Sequence, residues 1–190
     1  MLRIRSAASR CFDAAVLPQP DSNGSVTTGI VEALLFGSGR PLIVVPCSCV
    51  RPDLGTVLIA WDGGAPAART VADALPVLTL AHHVHIVTVG GRESEDAYPS
   101  GGTLVRHLAR HGIRAELKVL AGDVAVAGSL LSHAAKIGAD LIVMGGYGHS
   151  RFRQIMLGGT TSDMLRLMTV PVLMSHCVQY RWLNWSVVFH

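Results

Sequence analysis

The sequence predicts a doubly wound, five-stranded parallel α/β sheet, with a partial copy of the same unit in front of it. Three observations predict it. Short apolar runs alternate with helical patterns from residue 56 to 176. The runs are apolar throughout, as strands covered on both faces are. Two of them end in residues suited to binding, Asp62 and Gly145. Strands alternating with helices imply parallel strands joined by crossovers.

The elements follow in order. Residues 56–61 (TVLIAW) form a buried strand closed by Asp62-Gly63-Gly64. Ala68, Val71, Ala72, Leu75 and Leu78 recur at helical spacing over 65–80. Pro76 should kink that helix or loosen its last turn. Residues 84–89 (VHIVTV) form the second strand, and 90–102 a glycine-rich loop. A helix over 103–111 carries Leu104 and Leu108 and is stopped by Gly112. Residues 114–120 form the third strand. Asp123 is placed to cap a helix over 124–137, with Gly138 behind it. Residues 140–144 (DLIVM) form the fourth strand, 160–168 a helix, and 170–175 (VPVLMS) the fifth strand.

The N-terminal part reads as a degenerate copy of the end of this unit. Phe12-Asp13-Ala14-Ala15-Val16 parallels Ala139-Asp140-Leu141-Ile142-Val143. Glu32-Ala33-Leu34-Leu35 parallels Ser162-Asp163-Met164-Leu165, and Pro41-Leu42-Ile43-Val44 parallels Pro171-Val172-Leu173-Met174. The division is therefore a partial first repeat with its linker over 1–50, a complete domain over 51–176 and a tail over 177–190. Too short to build its own sheet, the fragment should lay Leu42 to Val45 against an exposed edge of the domain, the fifth strand first.

Bulk composition narrows the function. The apolar fraction is 49% and the charged fraction 15%, which describes a globular chain. The net charge is +3, with no dense basic run and few aromatics, so nothing points to nucleic acid. No apolar stretch approaches the roughly 18 residues of a membrane span. The opening MLRIRSAASR lacks the apolar core of a signal peptide. Cys11, Cys47, Cys49 and Cys177 lie outside the proposed domain and do not form a disulfide framework. A cytoplasmic setting is expected.

The richest stretch is Gly145-Gly146-Tyr147-Gly148, nine residues, then Gly158-Gly159-Thr160-Thr161. Glycines let a backbone approach a ligand closely and take positive φ. The second cluster opens a helix, whose free N–H groups favour an anion. A phosphate cradle and a flexible loop with a glycine cap are both open from the spacing alone. If the strands ending at Asp62 and Gly145 are neighbours, a cleft lies between them. His149, Arg151 and Arg153 sit in the loop, where a solvated face competes with a phosphate role. His82, His83 and His85, and the pair His107 and His111, lack further ligands, and no metal site is expected.

In these residues the chain resembles the universal stress protein family. Gly145-x2-Gly148-x9-Gly158 is similar to that family's nucleotide-binding motif, and TVLIAWDGG, GADLIVMGGYGHSR and TVPVLMSH to its first, fourth and fifth strands. Residues 56–176 match in full and 12–46 as a partial repeat, so the chain looks like a truncated tandem member. The resemblance implies the Rossmann-like, adenine nucleotide alpha hydrolase-like fold. It also implies a stress-response role and a homodimer through the fifth strand, unless the N-terminal fragment pairs there within the chain.

The resemblance further implies an ATP site, with magnesium, built from Asp62, Gly145, Gly148, Gly158, Gly159 and Thr160. Asp62 would contact the adenosine end, Gly145 and Gly148 the phosphate path, and Gly158 onward the distal phosphates. Two positions depart from the family pattern. Gly159 stands where the ATP-binding pattern has Ser or Thr, so the hydroxyl arrives one place late at Thr160. Gly64 stands where a small hydroxyl residue is usual. A nucleotide-free dimerisation module and a slow nucleotide hydrolase are the competing readings. No catalytic base is apparent, and a non-enzymatic role is expected.

Overall fold

The computed structural model describes residues 9–20, 25–48, 54–90, 101–121, 125–147 and 159–176. After a short 3-10 turn at Ser9–Cys11, the N-terminal fragment supplies β1 (Ala15–Pro18), α1 (Ser25–Gly37) and β2 (Leu42–Val45). The remainder supplies β3 (Thr56–Ala60), α2 (Ala65–Leu78), β4 (His83–Val89), α3 (Gly101–Arg110), β5 (Ala115–Leu120), α4 (Val126–Ile137), β6 (Leu141–Gly145), α5 (Thr160–Leu167) and β7 (Val172–Ser175).

One seven-stranded sheet runs in the order β1-β2-β7-β6-β3-β4-β5. The last five strands of that order are the parallel domain sheet. Its order reverses between β3 and β6, which lie side by side, Ala60 opposite Met144. Both faces are covered over β3, β6 and β7, whereas the edge strand β5 is largely exposed. On one face, Leu58, Ile142, Met144, Val172 and Met174 pack with Val31, Leu35, Leu130 and Met164 from α1, α4 and α5. On the other, Val57, Ile59, Val143 and Leu173 pack with Ala67, Val71, Leu78 and Leu108 from α2 and α3. The alternation of Val57, Leu58 and Ile59 between the two clusters is the period of two that a strand imposes.

Helix ends follow local chemistry, with some shifts from expectation. Gly112 and Gly138 take φ of 75° and 62° behind α3 and α4, a conformation that favours glycine. α2 starts with Pro66 in its first turn and runs two residues past Pro76 to Leu78. Near the C-terminal end a proline forfeits only one backbone bond, and the Thr79 N–H still reaches the Leu75 carbonyl at 3.0 Å. α3 begins at Gly101, inside the expected loop, and Gly101 packs flat against Leu117. Asp123 and the tail over 177–190 lie outside the described residues. Position 125, directly before α4, is an alanine without a side-chain cap.

The N-terminal fragment joins the sheet in a register that matches that of β6 and β7. β2 lies antiparallel to β7, pairing Leu42 with Met174, Ile43 with Leu173 and Val44 with Val172. β1 lies parallel to β2 with Ala15 opposite Leu42, just as β6 lies parallel to β7 with Ile142 opposite Val172. These are the residue pairs equated by the sequence repeat. Two backbone bonds repeat as well: Ala15 to Pro41 (3.0 Å) matches Ile142 to Pro171 (2.9 Å), and Gln19 to Val45 (2.8 Å) matches Gly146 to Ser175 (2.9 Å). A local two-fold axis therefore passes through the pair Ile43–Leu173, the isologous arrangement of a symmetric dimer realised inside one chain.

The copy stops short on one face. Val16 is 64% exposed, whereas its equivalent Val143 is fully buried. Leu42, by contrast, is 1% exposed and belongs to the shared core. Truncating it should cost about 2–5 kcal/mol. Urea unfolding of Leu42→Ala should show that loss, while Val16→Ala should stay within about 0.5 kcal/mol of the parent.

Candidate functional site

The reversal between β3 and β6 puts the ends of both strands on one side of the sheet. At β3, Trp61 is buried and its N–H reaches the Val87 carbonyl at 2.9 Å. The chain then turns outward, so Asp62 is exposed. Asp62 Oδ1 accepts the Gly64 N–H at 2.8 Å, a local turn that hands the chain to α2. Gly63 completes the turn at φ 74°. A Cβ at Gly64 would lie 3.0 Å from that same Oδ1, so glycine there makes room for the carboxylate.

At the end of β6 the glycines have a packing reason. Neither Gly145 nor Gly146 has positive φ. A Cβ at Gly145 would stand 2.7 Å from the Ala67 backbone nitrogen and 2.9 Å from the Pro66 carbonyl carbon. The first turn of α2 is seated on β6 at this point. A Cβ at Gly146 would run into Leu35 of α1 at 2.7 Å. Packing alone thus explains both residues.

The left-handed residue here is not a glycine. Tyr147 has φ 54°, which is strained for a bulky side chain. Its N–H donates to Thr161 Oγ1 at 3.1 Å, and its hydroxyl donates to Glu32 Oε1 at 3.3 Å. Its ring lies 5.4 Å from that of Phe36, which in turn meets His176 edge-on at 4.5 Å. His176 Nδ1 is 3.0 Å from the Gly146 carbonyl. Burial first, and then the Glu32 carboxylate, pushes the Tyr147 phenol up to about 12, while a hydrogen bond to Ser162 pulls the other way. Tyr147 and Thr161 stand in the glycine stretch and Glu32 in the N-terminal fragment, but the motif assigns none of them a role. The faint signal was a tyrosine between two motif glycines.

At the far side, Gly159 precedes α5 with extended backbone, φ 167° and ψ 166°, and no side-chain cap. Its carbonyl accepts the Asp163 N–H at 3.1 Å. A Cβ at Gly159 would meet nothing within 4 Å. Thr160 is half-buried at the first position of α5, and the buried hydroxyl of Thr161 is engaged by Tyr147. Gly148, Gly158, His149, Arg151 and Arg153 lie outside the described residues. Of the proposed set, the structure therefore describes Asp62, Gly145, Gly159 and Thr160.

β7 is tied into the same end. Thr70 of α2 is fully buried. Its hydroxyl donates to the Pro66 carbonyl at 2.7 Å and accepts the Ser175 N–H at 3.0 Å. Ser175 Oγ donates to Asp73 at 2.8 Å, and Arg69 bonds the same carboxylate at 2.9 Å.

Among the described residues the histidines are dispersed. His107 and His111 stack edge-on at 4.9 Å at the end of α3, and His85 reaches Glu116 only at 3.9 Å. Among the described residues, no three or more His, Cys, Asp or Glu gather in a way that would hold a metal ion. Nor, among them, is any helix long and apolar enough to cross a membrane.

The model of the universal stress protein family matches residues 54–176. A universal stress protein of Synechocystis is 29% identical over 168 residues, covering 85% of this chain and 57% of the relative. A solved universal stress protein from Archaeoglobus fulgidus superposes with a TM-score of 0.72 at 20% identity, over 92% of this chain and 64% of that one. A structure from Pseudomonas aeruginosa superposes with a TM-score of 0.62 at 17% identity, over 92% of this chain and 66% of that one. The chain spans little more than half the length of the Synechocystis relative, and the two structural likenesses concern the fold.

Two expectations come from the site. Gly145→Ala should lower stability by about 1–3 kcal/mol through the clash with α2, read as a lower denaturant midpoint at constant slope. Free tyrosine titrates near 10, so the folded chain keeps a proton on Tyr147 that the unfolded chain loses. The stability this contributes is whole below about pH 10 and is lost as pH rises toward 12. Tyr147→Phe should flatten that part of the stability–pH curve.

Proposed function

The chain belongs to the universal stress protein family, and on that premise we propose that it is a stress-response protein that binds an adenine nucleotide, ATP with magnesium, at the carboxyl ends of β3 and β6. One observation carries the reading. Asp62 and Gly145 leave adjacent strands at the point where strand order reverses, the usual place for a ligand in an open α/β sheet. The described residues suit such a ligand. Asp62 is exposed for the adenosine end, and the uncapped first turn of α5 offers N–H groups to phosphate. Magnesium keeps much of its water and binds largely through substrate phosphates, so it would enter with the nucleotide. Gly148 and Gly158 complete the proposed set.

A nucleotide-free interaction module is the second reading, and Gly145 favours it, since packing against α2 accounts for that glycine without a ligand. In either reading the strand that would meet a partner in a fifth-strand homodimer is already paired with β2, so we assign the dimer's place to the chain's own N-terminal fragment. A cytoplasmic setting is supported by the exposed free thiols Cys11 and Cys47.

A titration with ATP and magnesium followed by thermal unfolding separates the readings. Nucleotide at a hundredfold its dissociation constant should add about 2.7 kcal/mol; no shift at millimolar ATP leaves only the nucleotide-free module. Gly159→Ser supplies the displaced hydroxyl at a position with open space and an extended backbone. A hydrogen bond to a charged group is worth about 1.5–3 kcal/mol, so this variant should bind at least roughly tenfold tighter. Unchanged affinity would mean that position 159 does not face phosphate.

A further inference from the structure

We infer that Glu32 of the N-terminal fragment is a positioning residue for the nucleotide site, acting through a latch on Tyr147 that fixes how the chain leaves β6. The inference rests on the nucleotide reading above for its functional consequence, and on geometry alone for the latch.

The geometry is specific to the glycine half of the seam. Glu32, Leu35 and Phe36 stand at positions i, i+3 and i+4 of α1, one face of the helix. That face covers Gly146 and Tyr147: Leu35 over Gly146, Phe36 beside the Tyr147 ring, and Glu32 on the Tyr147 hydroxyl. Across the local two-fold, the residue matching Gly146 is Gln19. Its side chain bonds the Leu165 and Arg166 carbonyls at 3.0 and 3.2 Å. Pro20 follows it, without N–H or hydroxyl. General seam packing therefore does not require the latch, and only the copy carrying the glycine motif has it.

The latch also ties the two flanks of the motif. The Tyr147 N–H, aimed by a left-handed φ, donates to Thr161 on α5, fourteen residues onward. The Tyr147 hydroxyl meets Glu32 on α1 and Ser162 on α5, the very residues that the sequence repeat equates. One tyrosine thus fastens β6, α1 and the first turn of α5 together. A bulky residue does not hold φ 54° by itself, so contacts must hold it there. Without Glu32, Tyr147 is freer to relax to negative φ, and its N–H then turns away from Thr161.

The test uses the full chain and two readouts. Glu32→Ala should speed amide hydrogen exchange at Gly146 and Tyr147 at least tenfold, with exchange in β3 unchanged, and should weaken binding of ATP with magnesium about tenfold. Glu32→Gln, whose amide oxygen still accepts the phenol proton, should restore both. Tyr147→Phe, which keeps the ring against Phe36, should reproduce Glu32→Ala and guards against a folding defect in that variant. Unchanged exchange in both Glu32→Ala and Tyr147→Phe overturns the latch. Faster exchange with unaltered nucleotide affinity overturns the positioning role. If the parent chain binds no nucleotide, the reading of the site falls, and exchange alone decides the latch.

Discussion

The antiparallel seam between β2 and β7 is the constraint on which the rest of the architecture depends. Every residue of β7 is buried, with Leu173 at 2% and Met174 at 0% exposure. Without β2 its outer backbone groups would be open to water or to another chain. The seam closes that edge with three residue pairs, of which the central one, Ile43 with Leu173, joins equivalent residues. Once β2 is fixed, β1 follows by parallel pairing and α1 by burial of Val31, Leu34 and Leu35 in the common core. The position of α1 then decides what lies above the end of β6.

Much of the fold is legible in the sequence because strands buried on both faces leave uninterrupted apolar runs, and helices between them leave a 3.6-residue rhythm. The pairing of the N-terminal strands is legible too: Ala15 stands opposite Leu42 as Ile142 stands opposite Val172, the residues that the sequence parallel equates. Strand ends drift by a residue or two, since termini answer to tertiary contacts. β7 starts at Val172 rather than 170, after Pro171, which has no N–H to give a ladder. α2 tolerates Pro76 because the last turn has few bonds left to lose.

The site is less legible, and its glycines show why. A glycine is silent about its cause: the same letter serves a ligand, a turn or a neighbouring backbone. Gly145 is small because α2 sits on it, Gly146 because Leu35 does, and Gly159 stands in open space. The strained residue is Tyr147, which sequence pattern cannot reveal. Its φ depends on Glu32 and Thr161, residues far apart in the chain that only the seam brings together. Asp62 is the easier case, because a carboxylate following an apolar strand points to an exposed turn at the strand's carboxyl end.

The internal two-fold axis has a consequence for how the assembly responds to its surroundings. A symmetric dimer separates on dilution, and its seam is only as populated as protein concentration allows. Here both halves of the seam belong to one polypeptide, joined by the residues between β2 and β3. The neighbour of β7 is therefore supplied at an effective concentration set by a short tether, of millimolar order, whatever the abundance of the protein. The seam forms by a first-order event, and its occupancy is the same in a dilute cell extract as in a concentrated one.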